Sequence, residues 1–104
     1  MKTQTIMRQL DKVIFRKFAD GEIIALFPEI PGTNNFSTCL DYVHNGQHGS
    51  CNIRQVLDMT FKPSDIECKA LASELAAIGY NLDIKQRYSS TMAANRLKLM
   101  AVPL

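Results

Sequence analysis

Apolar positions first gather in two short runs, residues 13–18 and 23–27, joined across Asp20-Gly21. Val, Ile and Phe suit a pleated, half-buried surface, and Asp-Gly between two such runs is a strong β-hairpin signal. In the second arm Ile23, Ala25 and Phe27 point one way and Ile24 and Leu26 the other, so both sides need cover and the arm reads as a central strand. Pro28 and Pro31 cannot donate to a ladder, so they are expected to stop this strand and leave 29–35 as a surface loop. Residues 36–43 alternate, with Phe36, Thr38, Leu40 and Tyr42 opposite Ser37, Cys39, Asp41 and Val43, which predicts a third strand. The stretch 44–50, HNGQHGS, reads as a loop or hairpin turn, and 51–60 as a fourth strand with Ile53 and Leu57 on one parity and Val56 on the other.

The period then changes. Pro63-Ser64-Asp65-Ile66-Glu67 carries a first-turn proline, early acidic residues and a Ser-x-x-Glu capping box, the marks of a helix start. Cys68, Leu71, Leu75 and Ile78 form one apolar stripe, and Gly79 is placed to end the helix. Residues 80–88 set Leu82 and Ile84 against Asp83, Lys85 and Arg87, a half-exposed strand. Ser89-Ser90-Thr91 can cap a last helix in which Met92, Ala93, Leu97 and Met100 share a side, for docking on its own sheet or on a second copy. Ile6, Met7 and Leu10 suit one short amphipathic turn, so residues 1–11 are read as a frayed segment or one packed across a sheet edge. The order β-β-β-β-α-β-α predicts an α+β fold, a two-layer sandwich of a mostly antiparallel sheet with helices on one face.

Composition narrows the class without naming a role. The 104 residues are read as one domain over 1–104, and 46% hydrophobic residues, 21% charged residues and a net charge of +2 match a globular chain rather than a disordered tail or basic arm. No apolar run approaches the roughly 20 residues of a membrane span, and the N-terminus lacks a secretory signal's apolar stretch. Three cysteines are an odd number with no disulfide-scaffold density, which points to a reducing, cytoplasmic setting.

Two groups of residues carry candidate chemistry. Cys39, His44, His48 and Cys51 offer the two thiols and two imidazoles of a tetrahedral zinc site, although the spacing differs from the finger pattern. Their plainer reading is a packed Cys39 beneath a polar loop. Either histidine can also be read as a general base with Asp41 nearby, but no nucleophile motif accompanies them, so no catalytic residue is assigned. Arg16, Arg54, Lys85 and Arg87, with Phe18 and Tyr88 near in sequence, would suit phosphates and bases if they shared one exposed sheet face. The competing reading is a solvated face laced with ion pairs, with Asp58 and Asp83 among them.

The segments VIFRKFADGEIIALFPEIP, CLDYVHNGQHG and SELAAIGYNLDI together resemble a family of small uncharacterised proteins of bacterial phages, prophages and mobile elements, Bacteroidetes-type. The resemblance covers residues 12–86, and CNIRQVLDMTF departs from it where a more polar stretch is expected. It implies an accessory role and transfers no catalytic residues. The phrase LFPEIPG is also similar to one in the antitoxin half of HicAB toxin–antitoxin systems. The leading expectation is a non-enzymatic module that binds a host or phage macromolecule through an exposed sheet face and the 44–50 loop, as monomer or homodimer, with no membrane contact and no cofactor. A nucleic-acid-binding regulator and a small Cys/His zinc protein are the alternatives.

Overall fold

Asp20-Gly21 turns the chain as its residue types require. Gly21 adopts φ of 94°, a left-handed conformation that side-chain-bearing residues avoid, and Asp20 Oδ1 accepts the Glu22 N–H at 3.0 Å. Phe18 N–H closes the hairpin onto Glu22 O at 2.8 Å. The structure, a computed structural model, describes residues 9–44 and 46–100. Residues 1–8, which hold most of the expected N-terminal turn, lie outside the described residues, as does the 101–104 tail.

The hairpin strands are β1 (Asp11–Lys17) and β2 (Ile23–Pro31), antiparallel with Ile14 opposite Leu26. Two further antiparallel strands, β3 (Thr38–Tyr42) and β4 (His48–Asn52), extend the sheet on one side. On the other side β5 (Leu82–Ile84) lies parallel to β1, giving the order β4-β3-β2-β1-β5. Residues 23–27 thus run through the middle, and Ala25, Leu26 and Phe27 are 0% exposed.

Two expected boundaries move. Pro28 does not end β2: it is fully buried and the strand continues to Pro31, with a shift of register against β3 between Phe27 and Pro31. At such an irregularity the missing proline N–H leaves no ladder position unpaired. The expected fourth strand over 51–60 is instead the end of β4 followed by α1 (Ile53–Met59). Asn52 caps this helix, its side chain accepting the Gln55 N–H at 3.0 Å, and Ile53 and Val56 are the residues it buries.

The Ser64 capping box forms as expected at the start of α2 (Asp65–Ala77): Ser64 Oγ accepts the Glu67 N–H, and Glu67 Oε1 accepts the Ser64 N–H. Beyond Ile78, Gly79 takes φ of 116° and its N–H reaches Ala76 O at 3.1 Å. Ser89 opens α3 (Ser90–Met100), its hydroxyl accepting the Met92 N–H at 3.2 Å.

This is an α+β chain with a mostly antiparallel sheet, but its helices are divided between both faces rather than gathered on one. The alternation of β2 requires this. Ala25 and Phe27 join Val13, Phe15, Tyr42, Leu71 and Leu75 under α2, whereas Ile24 and Leu26 join Ile14, Cys39, Ile53, Val56 and Met92 under α1 and α3. Helix α3 docks through Met92 and Arg96, one turn apart, while Leu97 of the expected stripe is 42% exposed. No helix among the described residues is long and apolar enough to cross a membrane.

Candidate functional site at the β3–β4 ribbon

Several polar side chains that are neither simple surface nor simple core lie along β3 and β4. Their register pairs Cys39 with Cys51, Asp41 with Gly49 and Tyr42 with His48. Strand alternation therefore sends Tyr42 and His48 toward α2, and Cys39, Asp41 and Cys51 toward α1 and α3. The ribbon turns through Gln47 N–H to His44 O, 3.0 Å, with Gly46 at φ of 76°.

On the α2 side four polar side chains are linked. Tyr42 donates its hydroxyl hydrogen to Glu74 Oε2 and accepts the Gly46 N–H at 2.8 Å. His48 Nε2 lies 2.7 Å from the Tyr80 hydroxyl, and the His48 ring meets the Tyr42 ring edge-on at 4.8 Å. Tyr80 in turn stacks on Phe27 with ring centroids 4.7 Å apart. The bond to Glu74, then burial, raises the Tyr42 pKa, and burial followed by the Asp11 charge raises that of Tyr80. Both phenols therefore stay protonated near neutrality and can act as donors, not bases. This is a bracing network that fixes the turn over α2.

The opposite side holds two thiols, a carboxyl and an arginine. Cys39 is 0% exposed, Asp41 is 8% exposed and Cys51 is half-buried. Burial is the main cause that raises the Asp41 pKa, and a Cβ at Gly49 would stand 2.9 Å from Asp41 Oδ1, so glycine gives the carboxyl its room. A hydrogen bond from Cys51, assisted by the charge of Arg96, lowers the Cys39 pKa despite burial, and the same bond raises that of Cys51. Arg96 itself is 3% exposed, donates to Pro28 O at 2.7 Å and Phe36 O at 3.1 Å, and forms no ion pair among the described residues. Its Nε has no hydrogen-bond partner among them.

The four candidate zinc ligands lie in three places. Cys39 and Cys51 come together, but His48 is on the other side of the sheet with Tyr80, and exposed His44 lies 3.7 Å from Glu22. Cys39, His44, His48 and Cys51 therefore do not converge on one point, and among the described residues no group of three or more His, Cys, Asp or Glu is placed to hold a metal ion. Asp41, read as a partner for His44, faces Cys51 instead.

The basic set is dispersed as well. Arg16 is turned against the end of α1, its Nε donating to Thr60 Oγ1 at 2.9 Å and its Nη2 to Leu57 O and Thr60 O at 3.2 and 2.6 Å. It supplies from a strand the cation that the last turn of α1 lacks. Arg54 lies over the Tyr88 ring at 5.6 Å, Lys85 pairs with Asp83 at 3.5 Å, and Arg87 is exposed. Among the described residues these contacts do not bring the four to one exposed sheet face. A separate concavity of about 220 Å³ between α2 and β5, lined by Phe15, Cys68, Ala72 and Ile84 with Lys69 and Lys85, is smaller than the roughly 300 Å³ at which ligand pockets usually begin.

Sequence reasoning missed Glu74, Tyr80 and Arg96. Glu74 lies off the apolar stripe of its helix and Tyr80 begins the stretch 80–88, and nothing local links either to Tyr42 and His48. Arg96 stands four residues after Met92, on the same side of α3, which was a usable signal. Comparison with protein-family models, with curated proteins and with solved structures finds no match for this chain.

Proposed function

We propose that the chain is a non-enzymatic binding module that receives an extended segment of a host or phage macromolecule along the outer edge of β4, next to the 44–50 turn. The accessory role implied by the family resemblance agrees with this reading. The observation that carries it is the edge itself. β4 is an outermost strand whose residues, His48 to Asn52, include no Lys, Arg, Asp, Glu or Pro, the residues that ordinarily guard an edge from pairing. The Val43 N–H bonds to Gln47 O and the Ile53 N–H to Ser37 O, so Gly49 and Cys51 turn their backbone groups toward β3. His48 and Ser50 then turn theirs outward, where an added strand finds donors and acceptors. The exposed sheet face first expected for this role is replaced by this edge, because both faces carry helices. A nucleic-acid regulator has less support, since Arg16 and Lys85 are already engaged within the chain.

The test is a screen of displayed extended peptides, followed by Ser50→Pro. Proline at an outward-facing edge position keeps the ladder to β3 and removes one outward donor. Selected peptides should protect the Ser50 amide from hydrogen exchange and lose at least tenfold in affinity to the variant. Binding that is unchanged in Ser50→Pro would sink the edge reading.

A further inference from the structure

We propose that Cys39 and Cys51 are a reversible modification site, closing to a cross-strand disulfide by exchange with a small-molecule disulfide of the glutathione type. The two residues are direct partners in the β3–β4 register and project to the same side of the sheet. The flanking bonds, Val43 N–H to Gln47 O and Ile53 N–H to Ser37 O, place the pair at a hydrogen-bonded position of the ladder. Cα atoms at such positions stand about 5.5 Å apart. That lies within the roughly 4.4–6.8 Å that a disulfide spans. Their side chains pack in one cluster. Closing the bond asks for side-chain rotation and a small approach of the two strands, because Cβ atoms at hydrogen-bonded positions stand slightly wider than the roughly 3.5–4.5 Å of a disulfide.

The surroundings distinguish the two sulfurs. Cys39 is fully covered, whereas Cys51 is half-buried on the edge strand and within reach of a small reagent. Cys51 Sγ attacks one sulfur of the reagent and expels the first thiolate, leaving a mixed disulfide on Cys51. Cys39 Sγ then attacks Cys51 Sγ and expels the second. Two electrons pass from the cysteine pair to the reagent, and the two thiol protons leave with the released thiols, so the balance is two thiols plus one disulfide giving one disulfide plus two thiols. Arg96 favours the thiolate of Cys39 that the second step needs, whereas Cys39 and burial hold Cys51 as a thiol, which makes its attack on the reagent the slow step. Cys68 cannot compete without rearrangement, because it belongs to α2 on the other face. An excess of small dithiol reverses the sequence.

The reduced full chain is incubated with oxidised glutathione at neutral pH, quenched in acid, unfolded, alkylated and weighed intact, then mapped by peptide. The alkylated thiols should fall from three to one, the remaining one at Cys68, with a linked 39–51 peptide and recovery of all three after dithiol treatment. Cys68→Ser should fall from two to none, which keeps the assay readable if Cys51→Ser folds poorly. Arrest as a glutathione adduct on Cys51, linkage through Cys68, or three alkylated thiols after full equilibration would each overturn the proposal. None of these outcomes depends on peptide binding at β4.

Discussion

Under α2, Leu71 and Leu75 are set on the hydrocarbon of Val13, Phe15, Ala25 and Phe27, with the Tyr42–Glu74 and His48–Tyr80 side-chain bonds at one end. Under α1 and α3 the hydrocarbon of Ile14, Ile24, Leu26, Ile53, Val56 and Met92 is supplemented by two arginines aimed at backbone oxygens. Arg16 holds the end of α1, and Arg96 holds α3 to the irregular stretch of β2 and to Phe36. The difference teaches a division of labour. Apolar area is non-directional and supplies most of the free energy on either side, whereas hydrogen bonds from a planar guanidinium fix where a short helix sits. The thirteen-residue α2 has its own capping box and is tied to the sheet through its Glu67 and Glu74 carboxylates, whereas the seven-residue α1 is tied through its last backbone carbonyls.

Truncation on the hydrocarbon side should have the largest effect. Phe27→Ala should cost about 3–5 kcal/mol in denaturant unfolding, because the ring is fully buried and stacked on Tyr80. A loss below about 1 kcal/mol would mean that the α2 side is not the main source of stability. Next comes Arg96→Met, which keeps much of the volume but strips Pro28 O and Phe36 O of their donors; a loss of about 2 kcal/mol is expected. A gain in stability would show that α3 is seated by packing alone and that the desolvated cation is a burden. The smallest effect concerns the rim. Hydrogen bonding from Lys17 first, then from the Ser64 backbone, holds Glu67 down at about 2, below its ordinary carboxyl value of 4.5. A depressed carboxyl pKa stabilises the fold above the unfolded value and loses that contribution as pH falls from about 4.5 toward about 2. Glu67→Gln should flatten the stability profile over that window, and an unchanged acid limb would remove the Lys17–Glu67 pair from the account.

Much of the frame was readable because its signals are local. Asp20-Gly21, the β2 alternation, the Ser64 capping box and Gly79 each act within a few residues, and each does what its chemistry predicts. Residues 53–59 were misread because Ile53 and Leu57 share a strand parity, yet Ile53, Val56 and Leu57 also fit the i, i+3, i+4 spacing of a helix, with Asn52 as its cap. That misreading also moved a helix to the wrong side of the count and hid the second covered face. Pro28 looked like a stop because sequence alone does not show the register shift that accommodates it. The candidate site was legible only in part. The thirteen residues from Cys39 to Cys51 were singled out, but which of their side chains meet is decided by pairing register, and Arg96 arrives from more than forty residues away.

Arg16 and the carbonyls it holds are 41 to 44 positions apart along the chain. Helices shorter than about 12–15 residues are marginal by themselves in water. The segment Ile53–Met59 is therefore expected to wind up after the first hairpin has formed and to come loose before the hairpin does. During refolding its amides should be among the last to acquire protection, and in native-state exchange they should open ahead of the central strands.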